Sequence, residues 1–191
     1  MDEYELDDDD LIQKISEKDL AAFQKLVEHQ KAFVYNTCYN LIGNHQQAEE
    51  TAQDVFLQVY KSASAFRHQS KVSTWLYSIA VNRSLNVIRR NRRSRWIKSL
   101  STLEKEETGG EEPDTLLERK EMKSLLKSIV DSLPEKQRVA FILNKYENLS
   151  ASAIAEILGI STNAVEVRIH RAKTNLQKRL TSLLKNNPEE L

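Results

Sequence analysis

Residues 149–180 read LSASAIAEILGISTNAVEVRIHRAKTNLQKRL, and the grammar of that run decides the fold. Ser150 is an N-cap type, because its hydroxyl can accept from the free N–H groups of a first helical turn. Behind it Ile154 and Leu158 repeat at helical spacing and are expected inward, and the small Ala155 lets a second helix approach closely. Gly159 is placed to supply the left-handed backbone of a tight turn. Ile160 plugs the space beneath the turn, Ser161 caps the next helix, and Val165 and Ile169 anchor it. Arg168, Arg171 and Lys173 then lie on or near its exposed side. This is a helix-turn-helix pattern, in which the second helix is the one that enters a DNA major groove. A plain αα-hairpin is the alternative, but Ala-x3-Gly followed six residues later by Val is a specific spacing.

Working outward, the rest of the 191 residues speaks the same language. The only glycines and prolines are Gly43, Gly109, Gly110, Gly159, Pro113, Pro134 and Pro188. An all-β chain needs turn residues every 8–12 positions; this chain lacks them and is expected to be all-α. Leu11, Ile12 and Ile15 give a first short helix, begun by Asp8–Asp10. Asp19 reads as the cap of a long helix carrying Phe23, Leu26, Val27, Phe33, Val34, Cys38, Leu41 and Ile42, which Gly43 stops. Asn44 caps a third, with Ala48, Ala52, Val55, Phe56 and Val59 inward and Glu49, Glu50, Gln53, Asp54 and Gln58 on its other face. A polar loop, Arg67 to Lys71, leads to a fourth helix from about Ser73 to Arg93, with Leu76, Ile79, Ala80 and Val87 inward. Helical pattern resumes at Leu116, runs through Met122 to Leu133-Pro134, and continues over Glu135–Tyr146. Two small helical domains are therefore expected, residues 1–98 and 118–185, joined by a flexible acidic linker at 99–117 and followed by a tail at 186–191.

The formal net charge is zero, yet the charges are segregated. Residues 1–60 carry 13 acids and 4 bases, whereas residues 61–98 carry 10 bases and no acid. Residues 99–121 hold 8 acids against 3 bases, and residues 122–191 hold 11 bases against 7 acids. An acid-free block of that size is a polyanion-binding footprint. Trp75, Tyr77 and Trp96 are interleaved with its cations, a composition suited to melted or single-stranded nucleic acid. Cys38 is alone, so no internal disulfide or Cys-x-x-Cys site is expected, and the cytoplasm is the natural compartment. The acidic start has no secretory pattern, and no apolar run is long enough to cross a bilayer. His29, His45, His68 and His170 have no metal-ligand spacing, and no phosphate loop or nucleophile motif is present. Neither a metal, a cofactor nor an enzymatic activity is expected.

Three stretches together resemble the extracytoplasmic-function (ECF) sigma factors of bacterial RNA polymerase, a branch of the sigma-70 family. AFQKLVEHQKAFVYNTCYNLIGNHQQAEETAQDVFLQVY is similar to the family's first conserved block, with Ala48-Glu49-Glu50-Thr51-Ala52-Gln53-Asp54-Val55-Phe56 at its centre. FRHQSKVSTWLYSIAVNRSLNVIRRNRR resembles the promoter-melting block, with Ser73-Thr74-Trp75-Leu76, Ile79-Ala80, Asn82 and Arg89-Arg90 in place. LPEKQRVAFILNKYENLSASAIAEILGISTNAVEVRIHRAKTNL resembles the C-terminal domain.

The resemblance implies an alternative sigma factor, which binds core RNA polymerase and directs promoter-specific initiation. It implies that Glu49, Glu50, Gln53 and Asp54 dock on the polymerase's largest subunit. Phe66, Lys71, Trp75, Asn82, Arg83, Arg89 and Arg90 would meet the −10 element, with Arg89 and Arg90 on the backbone. Ser161, Thr162, Glu166, Val167, Arg168, Arg171 and Lys173 would meet the −35 element. Glu166 and Val167 depart from many relatives, and can respectively accept from cytosine N4 and touch a thymine methyl. The linker would run through a polymerase nucleic-acid channel, and an anti-sigma factor would hold the free protein. A stand-alone helix-turn-helix regulator is the competing reading. It accounts for the C-terminal third and leaves the acid-free block without a purpose.

Overall fold

The structure, a computed structural model, describes residues 7–101 and 125–186. The linker centre, the onset of the helix expected at Leu116, Met122, the first six residues and the last five lie outside the described residues, as does the side chain of Trp96. Among the described residues there is no strand. The helices are α1 (Asp8–Ser16), α2 (Leu20–Ile42), α3 (His45–Ser62), a short 3₁₀ turn (Ala63–Ala65), α4 (Val72–Ser101), α5 (helical over 125–131), α6 (Glu135–Lys145), α7 (Ala151–Leu158) and α8 (Thr162–Asn186). They belong to two compact units, each described by itself.

In the first unit α1, α2 and α3 each start where a side chain satisfies the free N–H groups. The Asp7 carboxylate accepts from the Asp10 N–H at 2.8 Å, Asp19 from Ala21 and Ala22, and Asn44 Oδ1 from the Gln47 N–H at 2.9 Å. Such caps contribute about 1 kcal/mol each. Gly43 closes α2 at φ +73°, its N–H donating to the Tyr39 carbonyl at 2.7 Å. α2, α3 and α4 pack mutually, and α1 lies on α2 and on the 3₁₀ turn. Leu11, Ile12, Ile15, Leu26, Val34, Cys38, Val55, Val59 and Leu76 form the dry centre.

α4 departs from expectation at both ends and on its face. It begins at Val72, which is buried, and runs unbroken to Ser101. Its buried residues are Leu76, Tyr77, Ala80, Val81 and Ser84, while Ile79 and Val87 are half-buried. Tyr77 is therefore a core residue rather than a stacking platform: its ring meets Phe33 edge-on, centroids 4.3 Å apart. α4 crosses two helices, so its apolar face spans both contacts and is wider than a single stripe.

In the second unit α6 packs on α8 around Val139, Ile142, Leu143, Val165 and Ile169. Asn175 Nδ2 on α8 donates to Gln137 Oε1 on α6 at 2.8 Å. Ser150 and Ser161 hydroxyls cap α7 and α8, accepting from Ala153 and Ala164 N–H at 3.2 and 3.3 Å. Gly159 has φ +62°, the left-handed turn conformation that its lack of a Cβ allows. Within α7 the buried residues are Ile154, Ala155 and Ile157; Leu158 is only half-buried. The turn begins at Gly159, so the last residue of the helix faces its rim.

Candidate nucleic-acid and polymerase interfaces

α3 presents three distinct sides. Toward α4 it sends two amides: Gln47 Oε1 accepts from Asn91 Nδ2 at 2.8 Å, and Gln58 Oε1 from Arg83 Nη2 at 2.6 Å. Toward the centre go Ala48, Thr51, Ala52, Val55, Phe56 and Val59. The third side is open. Glu50, Gln53, Asp54 and Leu57 lie at helical spacings of three, four and seven, so they share one face, and all are exposed. Glu49 is exposed at its edge, and Glu50 accepts from Gln46 Nε2 at 3.1 Å.

Leu57 was invisible to composition and charge. It stands 53% exposed in the middle of this acid-and-amide face. The signal that could have found it was an apolar residue falling on the polar side of an otherwise regular stripe. An apolar centre with a polar rim is the anatomy of a protein–protein interface.

The second surface lies on the 3₁₀ turn, the loop at residues 66–71 and α4. Phe66 is half-buried and packs against the core edge, its ring 4.8 Å from that of Trp75. Trp75 is likewise half-buried, so it is both part of the packing and part of the surface. Lys71, Asn82, Arg89 and Arg90 are exposed. Arg83 differs from them, being half-buried and engaged with Gln58. That bond ties α4 to α3, and sequence spacing could not reveal it because the partners are 25 residues apart.

The third surface is the outer side of α8. Val165, Ile169 and Ala172 are buried, which fixes the helix rotation. Ser161, Thr162, Glu166, Val167, Arg171 and Lys173 are exposed, whereas Arg168 is half-buried on the flank. The same rotation exposes Asn163 and His170, which the sequence reading passed over. His170 lies three and four residues from Val167 and Glu166 and adjoins Arg171, so it sits among the nominated residues. Among the described residues no helix is long and apolar enough to cross a membrane.

The profile of Sigma-70 region 2 matches residues 26–94, and that of Sigma-70, region 4, matches residues 123–176. The ECF RNA polymerase sigma factor SigW of Bacillus subtilis is 30% identical over 179 residues, covering 90% of this chain and 96% of that one. The ECF RNA polymerase sigma-E factor of Escherichia coli K12 is 27% identical over 95% of this chain and 98% of its own. Among solved structures, CnrH in complex with the cytosolic domain of CnrY aligns with a TM-score of 0.68 at 20% identity, over 92% of this chain and 97% of that one. The sigma factor RpoE of Bartonella quintana, solved with the anti-sigma factor NepR, aligns with a TM-score of 0.62 at 21% identity, over 83% and 96%.

Proposed function

The chain belongs to the sigma-70 family, in its ECF branch, and on that premise we propose how its three surfaces share the work. As an alternative sigma factor it binds core RNA polymerase and directs initiation at specific promoters. The open face of α3 is the docking surface: Glu49, Glu50, Gln53 and Asp54 give it charge and hydrogen-bonding specificity, and Leu57 gives it an apolar centre.

Residues 66–71 and α4 meet the −10 element. Phe66 and Trp75 offer rings on which an unstacked base can lie, while Lys71, Asn82, Arg89 and Arg90 face the strand and its phosphates. Arg83 serves there as the strut that holds α4 on α3. In the second unit α8 reads the −35 element, with Ser161 and Thr162 at the end that enters the groove. Glu166, Val167 and Arg171 face base edges, and Arg168 and Lys173 flank them on phosphates. The acidic linker follows a polymerase channel, where like charge mimics nucleic acid. The chemistry of RNA synthesis belongs to the polymerase, so this chain works in the cytoplasm as a specificity and melting factor without catalysis of its own. An anti-sigma partner keeps it from core until a signal releases it; the structural relative RpoE was solved with the anti-sigma factor NepR.

One observation carries this reading. An acid-and-amide helix face with an apolar centre stands on the same helical unit as an acid-free basic block, in a chain that also holds a helix-turn-helix. A stand-alone regulator would use only the last of these. The test is run-off transcription with purified core enzyme on a genomic promoter library. Transcripts from a subset of promoters sharing two elements about one domain-span apart are expected. Output no different from that of core enzyme alone would refute the reading.

A further inference from the structure

The C-terminal half of α8 keeps leucines in water. Leu180 and Leu183 are 37% and 40% exposed, and on α5 Leu125 and Leu126 are 40% and 43% exposed. Leu125, Ser128 and Ile129 of α5 and Arg179, Ser182 and Leu183 of α8 line one groove of about 410 Å³. Scattered exposed leucines are ordinary, whereas several around one groove mark the place of an occupant.

The groove also has a sign. Arg179 is exposed and no carboxylate lines the groove. After Glu166, α8 carries no acid, only the bases Arg168, Arg171, Lys173, Lys178, Arg179 and Lys185. A second copy of this helix would bring like charge against like charge. The groove fits a segment that sets carboxylates beside an apolar side chain.

Such a segment follows α8 directly. Residues 187–191 read NPEEL and lie outside the described residues. Pro188 cannot continue a helix and disfavours helical backbone at Asn187, so the chain leaves the axis of α8 where that helix ends, at Asn186. Leu183, Ser182 and Arg179 stand three, four and seven residues before Asn186, or about 4–11 Å back along the axis. The stretch 187–191 can span about 16 Å, enough to return over the groove. Contact between an apolar residue past a helix end and one in its last turns is a recurrent companion of helix termination.

We propose that residues 187–191 fold back on α8 as a strap, with Leu191 entering the groove between Leu125 and Leu183 and with Glu189 and Glu190 facing Arg179. The strap covers leucines that would otherwise pair with other surfaces, and a partner that uses the groove must first displace it. One leucine on a short segment makes a weak contact, because ordering the backbone offsets much of the burial. A weak contact is one that a partner can displace.

The experiment uses the full chain. Cys38 is fully buried, so cysteines placed on the surface report alone. Ser182→Cys with Glu190→Cys joins the tail to the groove. Thr181→Cys with Glu190→Cys is the control, because Thr181 is exposed but sits about 100° round the helix from Ser182, outside the groove. A disulfide needs Cβ atoms about 4 Å apart. Under mild oxidation the first pair should therefore close within one chain roughly fivefold faster than the control. An uncharged apolar dye, Nile red, gives the second readout. Deleting residues 187–191, or Leu191→Ser alone, should raise its fluorescence severalfold while the circular dichroism stays helical, and Arg179→Glu should act in the same direction. Equal closure of the two pairs would mean a tail with no preferred side and would overturn the strap. Fluorescence unmoved by the deletion and by Leu191→Ser would overturn it too, since the tail then covers nothing. Disulfide-linked dimers as the main product of the first pair would assign the groove to a second copy and reject the proposal. A dye signal unmoved by Arg179→Glu would remove the charge contact from it.

Discussion

Truncating Leu57 isolates the apolar centre of the proposed docking face from its charges. The side chain is 53% exposed, so about half of it remains to be buried by a partner. Full burial of a leucine is worth about 1.5–3 kcal/mol, and the 53% still exposed corresponds to about 0.8–1.6 kcal/mol. Leu57→Ala should therefore weaken binding to core about 4- to 15-fold. Alanine is the best helix former, and the lost atoms are those already facing water, so the fold should not change. The assay is a titration of labelled variant with core enzyme, fluorescence anisotropy giving Kd, with far-ultraviolet circular dichroism and thermal melting as controls. A melting temperature equal to that of the unmodified protein excludes a trivial loss through unfolding. A Kd within twofold of the unmodified value would show that Leu57 stays solvated in the complex, and the docking face would then have to be purely polar. A loss well above 15-fold would show that the side chain fills a tight pocket, where removal also leaves a cavity on the partner.

Three further outcomes follow from the same surfaces. Reversing Glu50 and Asp54 together to lysine should abolish co-purification with core while the helical circular dichroism persists, since like charges then face the partner. Arg171→Ala should relax base preference at one or two −35 positions, because arginine reads guanine bidentately for about 1–3 kcal/mol; Lys173→Ala should instead weaken all promoters alike and flatten the salt slope by about one unit. A randomised −35 library read at several salt concentrations separates the two. Gly159→Ala should destabilise the second unit by about 1–2 kcal/mol from the left-handed backbone alone, since no atom lies within 4 Å of the added Cβ; thermal melting of that unit should fall by several degrees while its DNA preference is unchanged.

The elements were legible where local chemistry dictates them. Asp19, Asn44, Ser150 and Ser161 cap, and Gly43 and Gly159 terminate, because each supplies a bond or a backbone conformation that its immediate neighbours lack. Burial was less legible wherever a helix has more than one neighbour. Tyr77 looked like a stacking ring amid cations, yet α4 lies against both α2 and α3 and carries it inward. Leu158 was expected inward, but Ile157 is buried and Leu158 only half-buried, at the end of a helix of eight residues where one position of rotation decides which side chain is covered. The contacts that shape the candidate sites were illegible altogether. Arg83 to Gln58, Asn91 to Gln47 and Asp9 to His68 join residues 25, 44 and 59 apart, and no local rule pairs them.

Those long-range contacts show how α4 is held on its unit without loss of its charge. α4 carries no acid of its own. Gln58 receives Arg83, and Gln47 receives Asn91 next to Arg90. Both acceptors are neutral amides, so Arg83 is bonded without its charge being cancelled. A carboxylate at position 47 or 58 would hold α4 at least as firmly but would lower the positive potential that a phosphate strand needs. The acids stand instead on the exposed face of α3 that borders these amides, where they can specify a protein partner. On the proposed reading, amides that hold α4 and exposed carboxylates beside them let one helix of 18 residues serve as scaffold for the first surface and as interface for the second.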